Sequence, residues 1–232
     1  KELQNKVATA IEKEGFQIHV HSIGDAATRI TLDGFAYAKE KNGIEDPRNM
    51  ITHLQLVNPE DLDRFAELDV VAVPQPYWAV IDSYYTQAVE YVGQERADTQ
   101  YPIKSFFDRG VVVASASDYP VTVPFNPFAA METGVTRAWN EAITAIETDP
   151  EKSLNLAEAV TIEDMIASYT INAAYANFME SEIGSIEIGK KADFIVIDQN
   201  LLEIPPREIH NTQVLLTYFD GAEVFRAESY QE

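Results

Sequence analysis

The chain has 232 residues, 46% hydrophobic and 24% charged, with a formal net charge of -21 and no cysteine. That is apolar material for one large domain or a domain and a half. The acidity opposes binding to nucleic-acid phosphates or anionic membranes, and the missing cysteines exclude disulfides, thiolate metal sites and a cysteine nucleophile.

Residues 1–14 read as an amphipathic helix with Leu3, Val7, Ala10 and Ile11 on one face, stopped by Gly15. Phe16 to His21 reads as a strand, and Ser22-Ile23-Gly24-Asp25 as a tight loop into a second helix reaching about Lys41. A second strand, Met50 to Leu54, leads to a helix with a clear start: Asn58 to cap it, Pro59 in its first turn, Glu60 and Asp61 at the positive end of its dipole. Val70 to Pro74 is continuously apolar, as in a parallel strand covered on both faces. The aromatic stretch from Gln75 to Thr99 reads as irregular. Ile103 to Arg109 reads as a short helix, and Val111 to Ala116 as a fourth strand. Strand, loop and helix repeating at this spacing predict right-handed βαβ crossovers.

Beyond Asp118 the pattern changes. Pro120, Pro124 and Pro127 punctuate a loop, and Pro127 opens a helix expected to reach Trp139. Thr161-Ile162-Glu163-Asp164 resembles a capping box, opening a helix through about Phe178. The tail is expected to be β, with strands at Ile186 to Ile188, Ala192 to Ile197, Val214 to Phe219 and Glu223 to Arg226.

Three chemistry-bearing residues stand at the C-terminal ends of strand-like runs: His21, His53 and Asp118. Two imidazoles and a carboxylate from three strand ends are how a barrel enzyme gathers ligands for a divalent metal. Each has a plainer reading: His53 as a satisfied core histidine, Asp118 as a helix cap or barrel-mouth hydrogen-bond acceptor, and His19 as the inward histidine in place of His21. Asp25, at a helix start, reads better as a cap, and His210 as a solvated residue. Arg96 and Arg137 suit clamps for a substrate carboxylate or for a loop. Tyr77, Trp78, Tyr84 and Tyr85 suit either an apolar substrate pocket or plain loop packing.

At these residues the chain resembles the metal-dependent amidohydrolase superfamily, above all its amidohydrolase 3 family, which includes N-substituted formamide deformylases. His19-Val20-His21-Ser22-Ile23-Gly24-Asp25 resembles the fifth-strand motif, Ile51-Thr52-His53-Leu54-Gln55 the sixth, and Ser117-Asp118-Tyr119-Pro120-Val121 the eighth. The run from Ile183 to Phe194 is similar to the closing signature. No His-x-His pair of a first strand precedes them. The resemblance therefore implies an α/β fold: a partial (β/α)8 TIM barrel equivalent to strands 5–8, followed by helices and a small C-terminal β segment. Residues 1–182 would be the C-terminal half of the barrel and 183–232 part of a small β-sandwich domain.

The resemblance further implies hydrolysis of a C–N bond in a small amide-like substrate by the complete enzyme. A divalent metal, zinc above all, would be held in part by His21, His53 and Asp118, with Asp118 also moving the proton. The chain alone would then be inactive or weakly active. It would form a homo-oligomer, two half barrels closing one barrel, or pair with the missing N-terminal half. A non-catalytic binding or regulatory domain with a vestigial metal site is the other reading. A nucleotide-binding α/β domain fails for want of a Gly-rich loop after a strand. Lack of cysteine points weakly to the cytoplasm, and the start inside a helix at Lys1 leaves an upstream signal peptide open.

Overall fold

A three-stranded parallel sheet carries the first half of the protein. The computed structural model describes residues 2–123, 125–143, 149 and 151–230. The opening helix, α1 (Glu2–Lys13), leads to β1 (His19–Ser22), α2 (Asp25–Asn42), β2 (Met50–His53), α3 (Pro59–Glu67) and β3 (Val71–Val73). The sheet order is β1-β2-β3, with His21 opposite Thr52 and Thr52 opposite Val73. The fourth predicted strand shrinks to a single parallel bridge, Ala72 with Val113. Its hydrogen bonds still follow the parallel pattern, Ala72 N–H to Val112 O at 3.0 Å and Ala114 N–H to Ala72 O at 2.9 Å.

The other edge of that fourth run is already occupied. Ser115 N–H donates to Ser168 O at 3.1 Å, and Asn172 Nδ2 donates to Val113 O at 3.1 Å. At β1 the situation is the reverse. Ile18 O and Ser22 O accept from Met50 and Leu54, so alternation turns the main-chain groups of His19 and His21 outward. Among the described residues nothing bonds them.

Local signals explain most of the helices. Asn58 Oδ1 accepts from Glu60 N–H at the start of α3, and Thr161 and Asp164 form the reciprocal capping box of α8 (Ile162–Tyr169). The aromatic stretch departs from expectation, since it is largely helical. A 3-10 turn, Pro76–Trp78, is followed by α4 (Ser83–Val92) and α5 (Gln94–Ala97), before α6 (Ile103–Phe107). Asp82 is the cause: its Oδ1 accepts from Tyr85 N–H and caps α4. Helix α7 (Pro127–Thr136) stops short of Trp139 because Arg137 turns left-handed, φ 57. The helix expected through Phe178 breaks at Thr170 into α8 and α9 (Ile171–Ala176).

The face of α1 is also a correction. Ala8 and Glu12 are its buried residues, whereas Leu3 and Val7 are 74% and 46% exposed. Glu12 Oε1 accepts from Asn49 Nδ2 at 2.5 Å and Asn49 Oδ1 from Ile18 N–H at 3.0 Å, which ties α1 to the start of the sheet. The main core lies between sheet and helices, where Leu32, Ile51, Phe65, Phe106 and Val113 are wholly or almost wholly buried. In the tail, β4 (Phe194–Ile197), β5 (Val214–Phe219) and β6 (Ala222–Arg226) form an antiparallel sheet. Ile186 to Ile188 is not a strand; both isoleucines are fully exposed and no described strand pairs with them.

Candidate active site

His21 and His53 meet. Nδ1 of His21 lies 2.7 Å from Nε2 of His53, at the C-terminal ends of neighbouring parallel strands. Regular alternation would not bring them together. Ile51 points into the helix-side core, and His53, two residues on, would follow it. Instead the backbone turns left-handed at His53 (φ 73) and Leu54 (φ 54), so the ring swings to the mouth of the sheet. A non-glycine residue in this region costs about 1–3 kcal/mol, strain of the kind that gathers at functional positions. The His19 ring stands 6.4 Å from that of His21 on the same strand face. Desolvation first, then the charges of His21 and His53, lowers the pKa of His19.

His53 is held on two further sides. Its Nδ1 lies 2.8 Å from Oε1 of the buried Gln75, and its ring stacks on Trp78 with centroids 5.2 Å apart. Trp78 Nε1 donates to Thr122 Oγ1 at 2.9 Å, linking the imidazole pair to the loop after Asp118.

Asp118 does not join the pair. It too is left-handed, φ 59, and its carbonyl accepts from Val121 N–H to close a turn. Among the described residues no three His, Cys, Asp or Glu side chains stand close enough to hold a metal ion. Of the three expected ligands the structure thus brings His21 and His53 together, with Asp118 on the run beyond β3.

A cavity of about 460 Å³ opens beside Trp78, lined by Tyr77, Tyr84, Tyr85, Tyr101 and Asp82 among others. Burial pushes the Tyr77 and Tyr101 hydroxyls well above the ordinary tyrosine pKa and raises the Asp82 carboxyl. The walls are aromatic and the floor polar, with Gln55 donating to Gln100. The two arginines do not serve it as expected. Arg137 is fully buried and donates to the carbonyls of Leu154, Tyr101 and Gln100, so it clamps the loop beneath the cavity. Burial pushes its pKa down to about 10, still cationic at neutral pH. Arg96 bonds Asp25 Oδ2 at 2.7 Å, outside the cavity lining. Asp25 is accordingly an ion-pair partner in the first turn of α2, where its Oδ1 also accepts from Ala26 N–H, while the N-cap position itself is Gly24.

His210 corrects another expectation: it is tucked against α7, its Nδ1 2.6 Å from Oε2 of the buried Glu132. Gln75 and Glu132 were missed by sequence reasoning. Gln75 left a signal, since it follows Val71 to Pro74 at the same kind of strand end as His21 and His53.

Parallel βα units thus carry the paired imidazoles at the carboxyl ends of their strands, with a cavity alongside. The chain belongs to the amidohydrolase family, which it matches over residues 2–225. It is 30% identical to the protein LONG AFTER FAR-RED 3 of Arabidopsis thaliana, over 93% of this chain and 35% of that protein. It is also 30% identical to an N-substituted formamide deformylase of Arthrobacter pascens, over 93% of this chain and 38% of the relative. Among solved structures, an uncharacterized metal-dependent hydrolase from Pyrococcus horikoshii OT3 superimposes with a TM-score of 0.69. That match has 27% identity and covers 88% of this chain and 38% of the other. The chain thus spans little more than a third of the curated relatives it matches. No described helix is long and apolar enough to cross a membrane.

Proposed function

We propose that this chain supplies the C-terminal half of a metal-dependent amidohydrolase that hydrolyses a C–N bond in a small amide-like substrate. Residues 1–182 contribute the half barrel and 183–232 part of the small β domain. The observation that carries the reading is the 2.7 Å approach of His21 Nδ1 and His53 Nε2 at adjacent strand ends. Two imidazole nitrogens this close can be gathered on one divalent ion such as zinc once the hydrogen bond between them is given up. Such an ion, when bound, supplies Lewis acidity towards a carbonyl oxygen and an attacking water.

The chain's own residues do the rest. His21 and His53 would hold their share of the ion, and the Asp118 carboxylate would take a proton from water and pass it to the leaving nitrogen. Trp78 walls the imidazole pair and, with Tyr77, lines the cavity that receives the substrate's apolar part. The remaining ligands come from a partner, either the N-terminal half or a second copy.

One observation favours the vestigial reading: the imidazoles bond each other and, among the described residues, no third ligand joins them. Zinc titration by calorimetry separates the two. The metal-centre reading expects 1:1 binding that is lost in His21→Ala and His53→Ala. Heat indistinguishable from buffer, for folded protein, contradicts it.

A further inference from the structure

We infer that Gln75 is the positioning residue that fixes the His53 tautomer and keeps the Nε2 lone pair aimed at His21. The metal-site reading is needed for the consequence of this, but not for the tautomer itself.

The assignment follows from counting donors and acceptors. Gln75 is 1% exposed, so its amide must find its partners within the protein. Its Nε2 lies 3.0 Å from Thr52 Oγ1 and 3.3 Å from Val73 O. Val73 O can only accept. The Thr52 hydroxyl gives its own proton to the same carbonyl at 2.9 Å, leaving a lone pair for Gln75. The side of the amide facing these two atoms is therefore the NH2. The opposite end, 2.8 Å from His53 Nδ1, is the carbonyl oxygen. An oxygen there accepts, so His53 Nδ1 carries the proton and Nε2 is left as the acceptor.

Position reinforces chemistry. Thr52 and Val73 are register partners on β2 and β3, so the cradle for the Gln75 amide is built from the sheet. Gln75 follows β3 directly and is held by the Pro76–Trp78 turn, whose Trp78 N–H bonds Gln75 O at 3.0 Å. Trp78 then covers one face of the His53 ring. An imidazole with its plane covered and one nitrogen bonded has neither rotation nor tautomer left to choose. Partners that hold the second nitrogen of a ligand imidazole raise metal affinity, typically about 10- to 100-fold.

Nitrogen-15 NMR of the imidazoles tests this on the metal-free chain. The expected wild-type result is a His53 with a protonated Nδ1 and an unprotonated Nε2. Gln75→Met, similar in length but with no carbonyl, should give a mixture of tautomers. Zinc affinity should fall about 10- to 100-fold in Gln75→Met. A wild-type His53 protonated at Nε2 overturns the inference without any variant, so a Gln75→Met that fails to fold does not shelter it. A folded Gln75→Met that keeps the pure Nδ1–H tautomer overturns it as well. A wild-type chain with the expected tautomer that binds no zinc supports the Gln75 assignment and contradicts the metal-site reading instead.

Discussion

Trp78 lies across His53, the two rings 21° from parallel with centroids 5.2 Å apart, while its indole N–H reaches Thr122. One side chain thereby joins the imidazole pair, the aromatic cavity and the loop that begins at Asp118. Two tryptophans are present in the chain, and Trp139 is not in that contact. Zinc addition should therefore change tryptophan emission through Trp78. The change should vanish in Trp78→Phe and survive in Trp139→Phe; the opposite pattern would detach the cavity from the imidazole pair.

The three histidines of interest should separate cleanly. His21→Ala and His53→Ala are expected to lose zinc binding with modest effects on stability. His210→Ala should keep zinc binding and lose roughly 1–2 kcal/mol of stability, because the buried Glu132 Oε2 loses its imidazole partner but keeps the main-chain N–H of residue 210. Denaturant unfolding beside zinc titration reads both. Equal stability of all three variants would mean that the Glu132 contact carries no weight.

What was legible in the sequence was local. Asn58 and Thr161 announce their helices because a cap acts within three residues, and His21 and His53 stand at strand ends because strand runs are short and apolar. What was hidden depends on distant partners or on backbone turns that composition does not mark. His53 reaches His21 only through a left-handed residue, a conformation to which a histidine gives no clue. Arg137 looks like any surface arginine until the carbonyls of Tyr101 and Gln100 close around it. The α1 periodicity was real, but Leu3, Val7 and Ala10 face outward while Ala8 and Glu12 face in, Glu12 because Asn49 waits there. The helix in the aromatic stretch was available in principle, since Asp82 followed by Ser83 is a cap signal outweighed by the tyrosines around it.

Self-association of the chain alone should run through one edge and not two. Ser168 and Asn172 occupy the edge of the fourth run, whereas β1 offers the main-chain groups of His19 and His21, and Leu3, Val7 and Phe16 are exposed nearby in sequence. Unpaired strand edges invite pairing. The charge of -21 opposes it at low ionic strength. Sedimentation should therefore show association that strengthens with salt and weakens in His19→Pro, which removes one edge donor. A monomer at every salt concentration would leave β1 unpaired in solution.

Acid should loosen the contact between the segment before β2 and the end of α9. Arg48 holds Glu180 through two 2.8 Å bonds and lies over the rings of Tyr175 and Phe178. The Arg48 hydrogen bonds hold the Glu180 pKa below the ordinary carboxylate value. A depressed folded pKa means that the contribution is complete above the unfolded value, about 4.3, and is lost as pH falls through the folded one. Glu180→Gln should thus lower stability at neutral pH and flatten its decline below about pH 4. An unchanged acid limb in thermal melts would remove Glu180 from that decline.

The central claim is that His21 and His53 are two ligands of one metal ion, and zinc-edge X-ray absorption of the loaded chain tests it most directly. Outer-shell scattering from two imidazoles is expected in the wild-type chain, with no zinc retained by His53→Ala. A shell of oxygen donors alone, or a spectrum unchanged when both histidines are replaced, would contradict it.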